Sequence, residues 1–240
     1  MRRLPSPGAP LAACTAVLLA LALGACQDDP PPTPDATASA PKFEPGVAFA
    51  VDNEPIHAYE VDRITVYVER IDPAAAPAHL RRLALTNVAL PRAVARVMAP
   101  QAHAMAKAEA QALREQLSSG SYAGPVGPDG TIGEVGEGGW SELGIEPWGV
   151  AMDLAEGQWS DVIEEVGQFL VLRRLERHDG PVPTATRVKI EAFRFPWLPL
   201  ETLKADVDAA YDSHRLVVVD PAWADYVPTV TQHRMKGKKP

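Results

Sequence analysis

Cysteine is nearly missing from this chain. Cys14 and Cys26 are the only two among 240 residues, and residues 27–240 contain none, which excludes disulfides, thiolate metal sites and cysteine nucleophiles from them. Positive charge is short as well. Lys and Arg number 23 against 31 Asp and Glu, for a net charge of −8, which argues against nucleic acid or an anionic lipid surface as a partner. The apolar run Leu11 to Leu23 is too short to span a bilayer. There is no internal repeat and no G-x-S-x-G nucleophile elbow. What remains, at 46% hydrophobic residues, suffices for one substantial core or two modest ones.

The N-terminus has the layout of an export signal. Arg2 and Arg3 form a positive start, Leu11 to Leu23 a short apolar stretch, and Leu23-Gly24-Ala25-Cys26 the pattern read by lipoprotein signal peptidase. Cleavage after Ala25 and diacylation of Cys26 follow, the alternative being an ordinary signal peptide that happens to end in cysteine. Loss of residues 1–25 removes two arginines and no acid, making the mature chain more acidic still. Gln27 stands where an aspartate would resemble the bacterial inner-membrane retention signal, so in a two-membrane cell the expected address is the outer membrane, facing the periplasm. Residues 26–45 are polar and proline-rich and read as a tether or a disordered leader. At about 3.1 Å per residue it reaches roughly 60 Å.

Folded structure is expected from Val47, where Val47, Phe49 and Val51 alternate with Ala48 and Ala50 and Asp52-Asn53-Glu54-Pro55 turns the chain. Leu80, Leu83, Asn87, Leu90, Val94 and Val97 then mark one helix face, with Pro91 kinking it. Ala102 to Leu117 is a run of helix formers ended by Ser118-Ser119-Gly120. Tyr122 to Gly139 holds seven glycines and two prolines and reads as loop. A short helix is expected over Trp148 to Leu154, then strands at Val162-Ile163 and Phe169 to Leu172 around a turn near Gly167. Arg187 to Phe195 alternates as a further strand. Leu200, Leu203, Val207 and Tyr211 form a last helix, Leu216 to Val219 a last strand, and Lys236 to Pro240 a basic tail.

Two segments together resemble the exported parvulin-type peptidyl-prolyl isomerases and chaperones, the PpiC-like group that includes SurA and PrsA. Val51-Asp52-Asn53-Glu54-Pro55-Ile56-His57-Ala58-Tyr59-Glu60-Val61-Asp62 is similar to the V-N-G-E-P-I-T-x-x-E-V-D opening of their helical chaperone domain. Gly138-Gly139-Trp140 resembles the L-G-W element of the parvulin domain. Pro147-Trp148, with Ala151 and Leu154, resembles its P-x-F-x-x-A-x-x-x-L helix, and Gly157-Gln158-Trp159-Ser160-Asp161 its G-E-x-S-D turn. Gly167-Gln168-Phe169-Leu170-Val171 stands where the group has G-Y-H-I-I. The likeness covers about half of the mature chain, with one-residue deletions in the helix and the turn.

The departures bear on activity. A parvulin pocket joins two histidines, a nearby cysteine or aspartate, and a methionine and a phenylalanine that grip the proline ring. Here Phe169 replaces a histidine, Gly144 the methionine, and Trp148 the aromatic. No H-I-L-V first strand appears before Ala102, although that strand is central in the group's sheet. Arg187 to Phe195 is expected to fill its slot, giving a permuted domain, the alternative being an edge strand or linker. Isomerisation needs only a surface that favours the twisted amide against a barrier of about 20 kcal/mol. Trp140, Trp148, Met152 and Phe169 are the candidate wall and Ser160 the candidate holder of the adjacent turn, with plain core packing as the alternative for each aromatic. Asp212-Ser213-His214 has triad residue types, but sequence neighbours do not converge on one point. His57-x-x-Glu60 has ligand spacing without a third partner, so it reads as a surface pair rather than a metal site. His103 and His178 read as solvated.

The resulting expectation is an α+β chain. Residues 1–25 form a lipoprotein signal peptide, 26–45 a tether, 46–120 a SurA-like helical chaperone domain, 121–198 a small parvulin-like α/β domain, and 199–240 a C-terminal helix, strand and tail. The resemblance implies weak peptidyl-prolyl isomerase or chaperone activity on unfolded or proline-containing polypeptides of the bacterial envelope, without cofactor or metal. The alternatives are an inactive parvulin-fold binding module and a structural envelope lipoprotein.

Overall fold

Strand β1 (Val47–Val51) turns back on β2 (Glu54–His57) through Asp52-Asn53, with Val51 opposite Glu54. Asp52 takes a φ of 53°, a left-handed conformation that Asp tolerates in tight turns. Helix α1 (Ala58–Ile71) starts at the next residue. All five residues of β1 are buried, so the expected Val/Ala alternation faces core on both sides. In this computed structural model residues 43–128 and 130–237 are described. The signal peptide, Cys26 and nearly all of the tether lie outside them.

Helix α2 (Pro77–Ala84), a π-helical turn (Leu85–Ala89) and helix α3 (Leu90–Met98) run on without a break. Pro91 lacks an N–H and cannot close the usual helical bond. The turn before it widens, and the Leu90 N–H bonds the Leu85 carbonyl five residues back. The extra residue shifts the buried stripe. Leu80, Ala84, Leu85, Ala89, Leu90, Ala93 and Val94 are buried, whereas Asn87, expected on that face, is exposed. Helix α4 (Pro100–Ser119) ends as expected at Gly120, whose φ is 69°.

The glycine-rich segment departs from expectation. Glu134–Gly138 forms an edge strand, β3, because Arg187–Pro196 lies alongside and takes up its backbone hydrogen bonds. Short helices α5 (Trp140–Leu143) and α6 (Ile145–Asp153) follow, then β4 (Ile163–Glu165), β5 (Gln168–His178) and β6 (Arg187–Pro196). The four strands make an antiparallel sheet in the order β3-β6-β5-β4. β6 is therefore central, with Ala192 opposite Leu172 and Phe195 opposite Phe169.

Helix α7 (Leu203–Ala210), strand β7 (Leu216–Val218) and helix α8 (Thr229–Arg234) complete the chain. β7 pairs with β1 in a second antiparallel sheet, ordered β2-β1-β7. Val207, Trp223, Val227 and Met235 join the core formed by β1 and α1 to α4, so the C-terminal segment packs into the N-terminal layer. The chain is mixed α+β with two antiparallel sheets. Among the described residues no helix is long and apolar enough to cross a membrane.

Candidate functional site

Successive side chains of a strand point to opposite faces, and β5 divides the expected wall in this way. Leu170 and Leu172 enter a core with Trp148, Ala151, Ile163, Val188, Ile190 and Ala192, against which Trp140 and Met152 are packed half-buried. Trp148 has no exposed surface, and its Nε1 donates to the Thr186 carbonyl at 3.2 Å. Phe169 points the other way, 1% exposed, into the core of helices α1 to α4. The structure thus brings Trp140, Trp148 and Met152 together and sets Phe169 apart from them. Ser160 is buried and structural. Its hydroxyl accepts from Leu172 N at 3.1 Å and donates to the Asp161 carbonyl at 2.7 Å, fixing the turn before β4. Gly144 has a φ of 91°, and a Cβ there would lie 2.8 Å from Glu165 Oε1. A methionine at that place would be strained by the backbone conformation itself.

On the Phe169 side a cleft of about 370 Å³ opens between α1, α3, α4 and β4. Its floor is ionic. Arg92 and Arg96 stand one turn apart on α3. Arg96 grips Glu164 with two hydrogen bonds, Nε to Oε1 at 2.6 Å and Nη2 to Oε2 at 2.8 Å, and reaches Glu60 Oε1 at 3.5 Å and Glu54 Oε1 at 3.4 Å. Arg92 and Arg63 share Glu146 of α6, at 2.6 and 2.7 Å. His103 Nε2 lies 3.2 Å from Glu164 Oε1, while its ring packs on Phe169 and edge-on against Trp197, centroids 5.0 and 4.9 Å away. Burial alone would push the Glu164 carboxyl up. Hydrogen bonds from His103 and Arg96, with the Arg96 charge, outweigh it and hold that carboxyl at about 2.

Two of the lining residues, Glu60 and Arg92, each carry a polar atom closed off from solvent, Oε2 and Nε, that has no hydrogen-bond partner among the described residues. His57 stacks on the exposed Tyr59 at the mouth, centroids 5.2 Å apart. Among the described residues no group of three or more His, Cys, Asp or Glu is placed to hold a metal.

No protein-family model, curated protein or solved structure matches this chain.

Several residues have surroundings that the sequence reading did not give them. His103 is packed between aromatic rings and a carboxylate rather than solvated, and Glu60 is buried under Arg96 rather than part of a surface pair. His214 pairs with Asp52, Nδ1 to Oδ2 at 2.7 Å, while Asp212 pairs with Arg234, so Asp212-Ser213-His214 forms no catalytic array. Arg92, Arg96 and Glu164 went unmarked. The available signal was two arginines spaced i, i+4 inside the otherwise apolar Val88 to Met98. A second depression of about 540 Å³ lies between α4 and residues 196–201, where Met105 and Leu200 are exposed beside Trp197.

Proposed function

We propose that the chain is an exported, lipid-anchored parvulin-like protein with a SurA-like helical chaperone domain and a permuted sheet, binding unfolded or proline-containing polypeptides of the bacterial envelope with weak or absent isomerase turnover. The observation that carries this reading is the place of β6, hydrogen-bonded between β3 and β5. The resembling group has its first strand at the centre of the sheet. Here that strand is missing upstream, and Arg187–Pro196 occupies a central place from downstream. The β1–β2 hairpin running directly into α1 supports the chaperone-type opening in the same way.

The weak-turnover half of the reading follows from side-chain placement. A twisted amide needs a wall and donors on one side of the sheet, whereas Trp148 is sealed in one core and Phe169 in the other. That separation favours a polypeptide-binding module over a working isomerase. The test is purified protein assayed on a proline tetrapeptide beside an active parvulin, and on an aggregating unfolded client. Client protection with turnover at least about a hundredfold below the control is expected, a difference of ~2.7 kcal/mol in barrier. Turnover within about tenfold of the control would restore the plain isomerase reading, and absence of any client effect would leave a structural lipoprotein.

A further inference from the structure

Each wall of the depression between α4 and residues 196–201 carries one large exposed apolar side chain close to one carboxylate. On α4, Ala102, Met105, Ala106 and Glu109 follow the i, i+3, i+4, i+7 spacing of a single helix face. On the other wall Leu200 and Glu201 are neighbours in the chain. Met105 is 66% and Leu200 42% exposed. Glu109 and Glu201 are exposed too, have no ion pair with a described residue, and are the only charged groups among the described lining residues. The backbone of the second wall offers a visitor little. Pro196 and Pro199 lack an N–H, and the N–H groups of Trp197 and Leu198 both donate to the Gly167 carbonyl. An occupant is therefore held by apolar contact and by negative charge rather than by strand pairing.

We propose that this depression receives a polypeptide segment in which large apolar residues stand next to lysine or arginine, the apolar side chains lying against Met105 and Leu200 and the cations meeting Glu109 or Glu201. This rests on the polypeptide-binding function proposed above, and it adds the class of client that function leaves open. Its volume of about 540 Å³ falls within the range of about 300–1,000 Å³ that ligand clefts span. Methionine is unbranched and polarizable and adapts to apolar partners of different shape, which suits unfolded clients. Charge decides between occupants. Residues 27–42 of this chain hold three aspartates and one lysine, and residues 236–240 are basic but have no large apolar side chain. A second copy, of net charge −8, would bring the same two carboxylates to the contact. The depression repels the first and the last of these and attracts a basic, apolar segment.

The experiment is fluorescence anisotropy on the purified chain with three fluorescein-labelled dodecapeptides that share the same leucines and valines and place lysines, glutamines or glutamates beside them. At low salt the lysine peptide is expected to bind about tenfold tighter than the glutamate peptide, and the gap should narrow at about 0.5 M salt. Glu109→Gln combined with Glu201→Gln should shrink the gap to less than about twofold and leave the glutamine peptide bound as before. Met105→Gln combined with Leu200→Gln should weaken all three by about tenfold. These are surface changes, and an unaltered melting temperature checks the fold. If the wild type binds no peptide and protects no unfolded client, this proposal and the polypeptide-binding function fall together. If it protects a client but binds none of the peptides, binds them without regard to charge, or keeps its lysine preference in the Glu109→Gln, Glu201→Gln variant, the function stands and the proposed site is overturned. The site is overturned equally if a peptide of residues 27–42 outcompetes the lysine peptide, or if sedimentation shows a dimer that Met105→Gln dissociates.

Discussion

Arg96 and Glu164 meet through two parallel hydrogen bonds of 2.6 and 2.8 Å, and this one pair joins helix α3 to strand β4. Both side chains are mostly buried, 10% and 17% exposed. A buried pair of this kind is only modestly stabilising against an apolar replacement, but removal of one partner leaves the other charge stranded. Beside it, Arg92 on Glu146 does the same for α3 and α6. The helical layer and the four-stranded sheet are thus fastened by arginines of α3 as well as by apolar contact.

The acid response of stability follows from Glu164. Its carboxyl sits at about 2 in the folded chain against an ordinary 4.5. A depressed folded value means that the contribution is full above pH ~4.5 and is lost progressively as pH falls towards ~2, to a total of no more than about 3 kcal/mol. Glu164→Gln should lower stability at pH 7 by about 3 kcal/mol and flatten the decline across that window. Urea denaturation at several pH values checks it, and an unchanged slope between pH 5 and 3 would count against the pair.

Gly149 offers a second test, because propensity and packing pull in opposite directions there. Alanine is favoured over glycine in a helix by about 1 kcal/mol. A Cβ at this position, however, would lie 2.3 Å from Cδ1 and 2.4 Å from Cγ of Tyr67, atoms close to the α1 backbone and hard to displace. Overpacking of that order costs about 1–3 kcal/mol, so Gly149→Ala should destabilise despite its better propensity. In a Tyr67→Ala background the same change should become neutral or stabilising, and a double-mutant cycle by thermal denaturation measures the difference.

Much of the backbone could be read from local pattern. The alternation from Arg187 to Phe195 is enough to specify a strand, Gly120 a helix end, and Asp52-Asn53 a tight turn, since each depends on residues near in sequence. Three features depended on distant neighbours. Glu134–Gly138 has no strand composition and is one only because β6 offers it a ladder. Phe169 follows the β5 alternation, yet which face met which core was set by helices α1 to α4. Arg92, Arg96 and His103 look solvated until Glu146 and Glu164, more than fifty residues on, are brought to them. The π turn is intermediate. Pro91 announced a distortion, but only the geometry showed it as one added residue that turns Asn87 outward.

Lipid attachment is tested at the N-terminus. Wild-type cells fed labelled palmitate should yield a labelled chain that fractionates with membranes, and Cys26→Ala should abolish both. Labelled palmitate in Cys26→Ala would mean that the Leu23 to Cys26 pattern is not the acylation signal.

Restoring the histidine that the resembling group carries at position 169 should not restore turnover. Phe169 lies directly across from Glu164 in the β4–β5 pairing, 1% exposed and tilted against the His103 ring. An imidazole there enters a space already occupied by His103, Trp197 and the Arg96–Glu164 pair, and it faces away from Trp148. A methionine supplied at Gly144 alongside it would be strained, because the backbone there has a φ of 91°. Phe169→His should therefore cost stability, by about 1–3 kcal/mol for a buried polar ring lacking full partners, and leave prolyl isomerase turnover at background. A rise of tenfold or more on a proline tetrapeptide would show that the pocket lacked only that one polar group, and would place the proline site on the His103 face of the sheet.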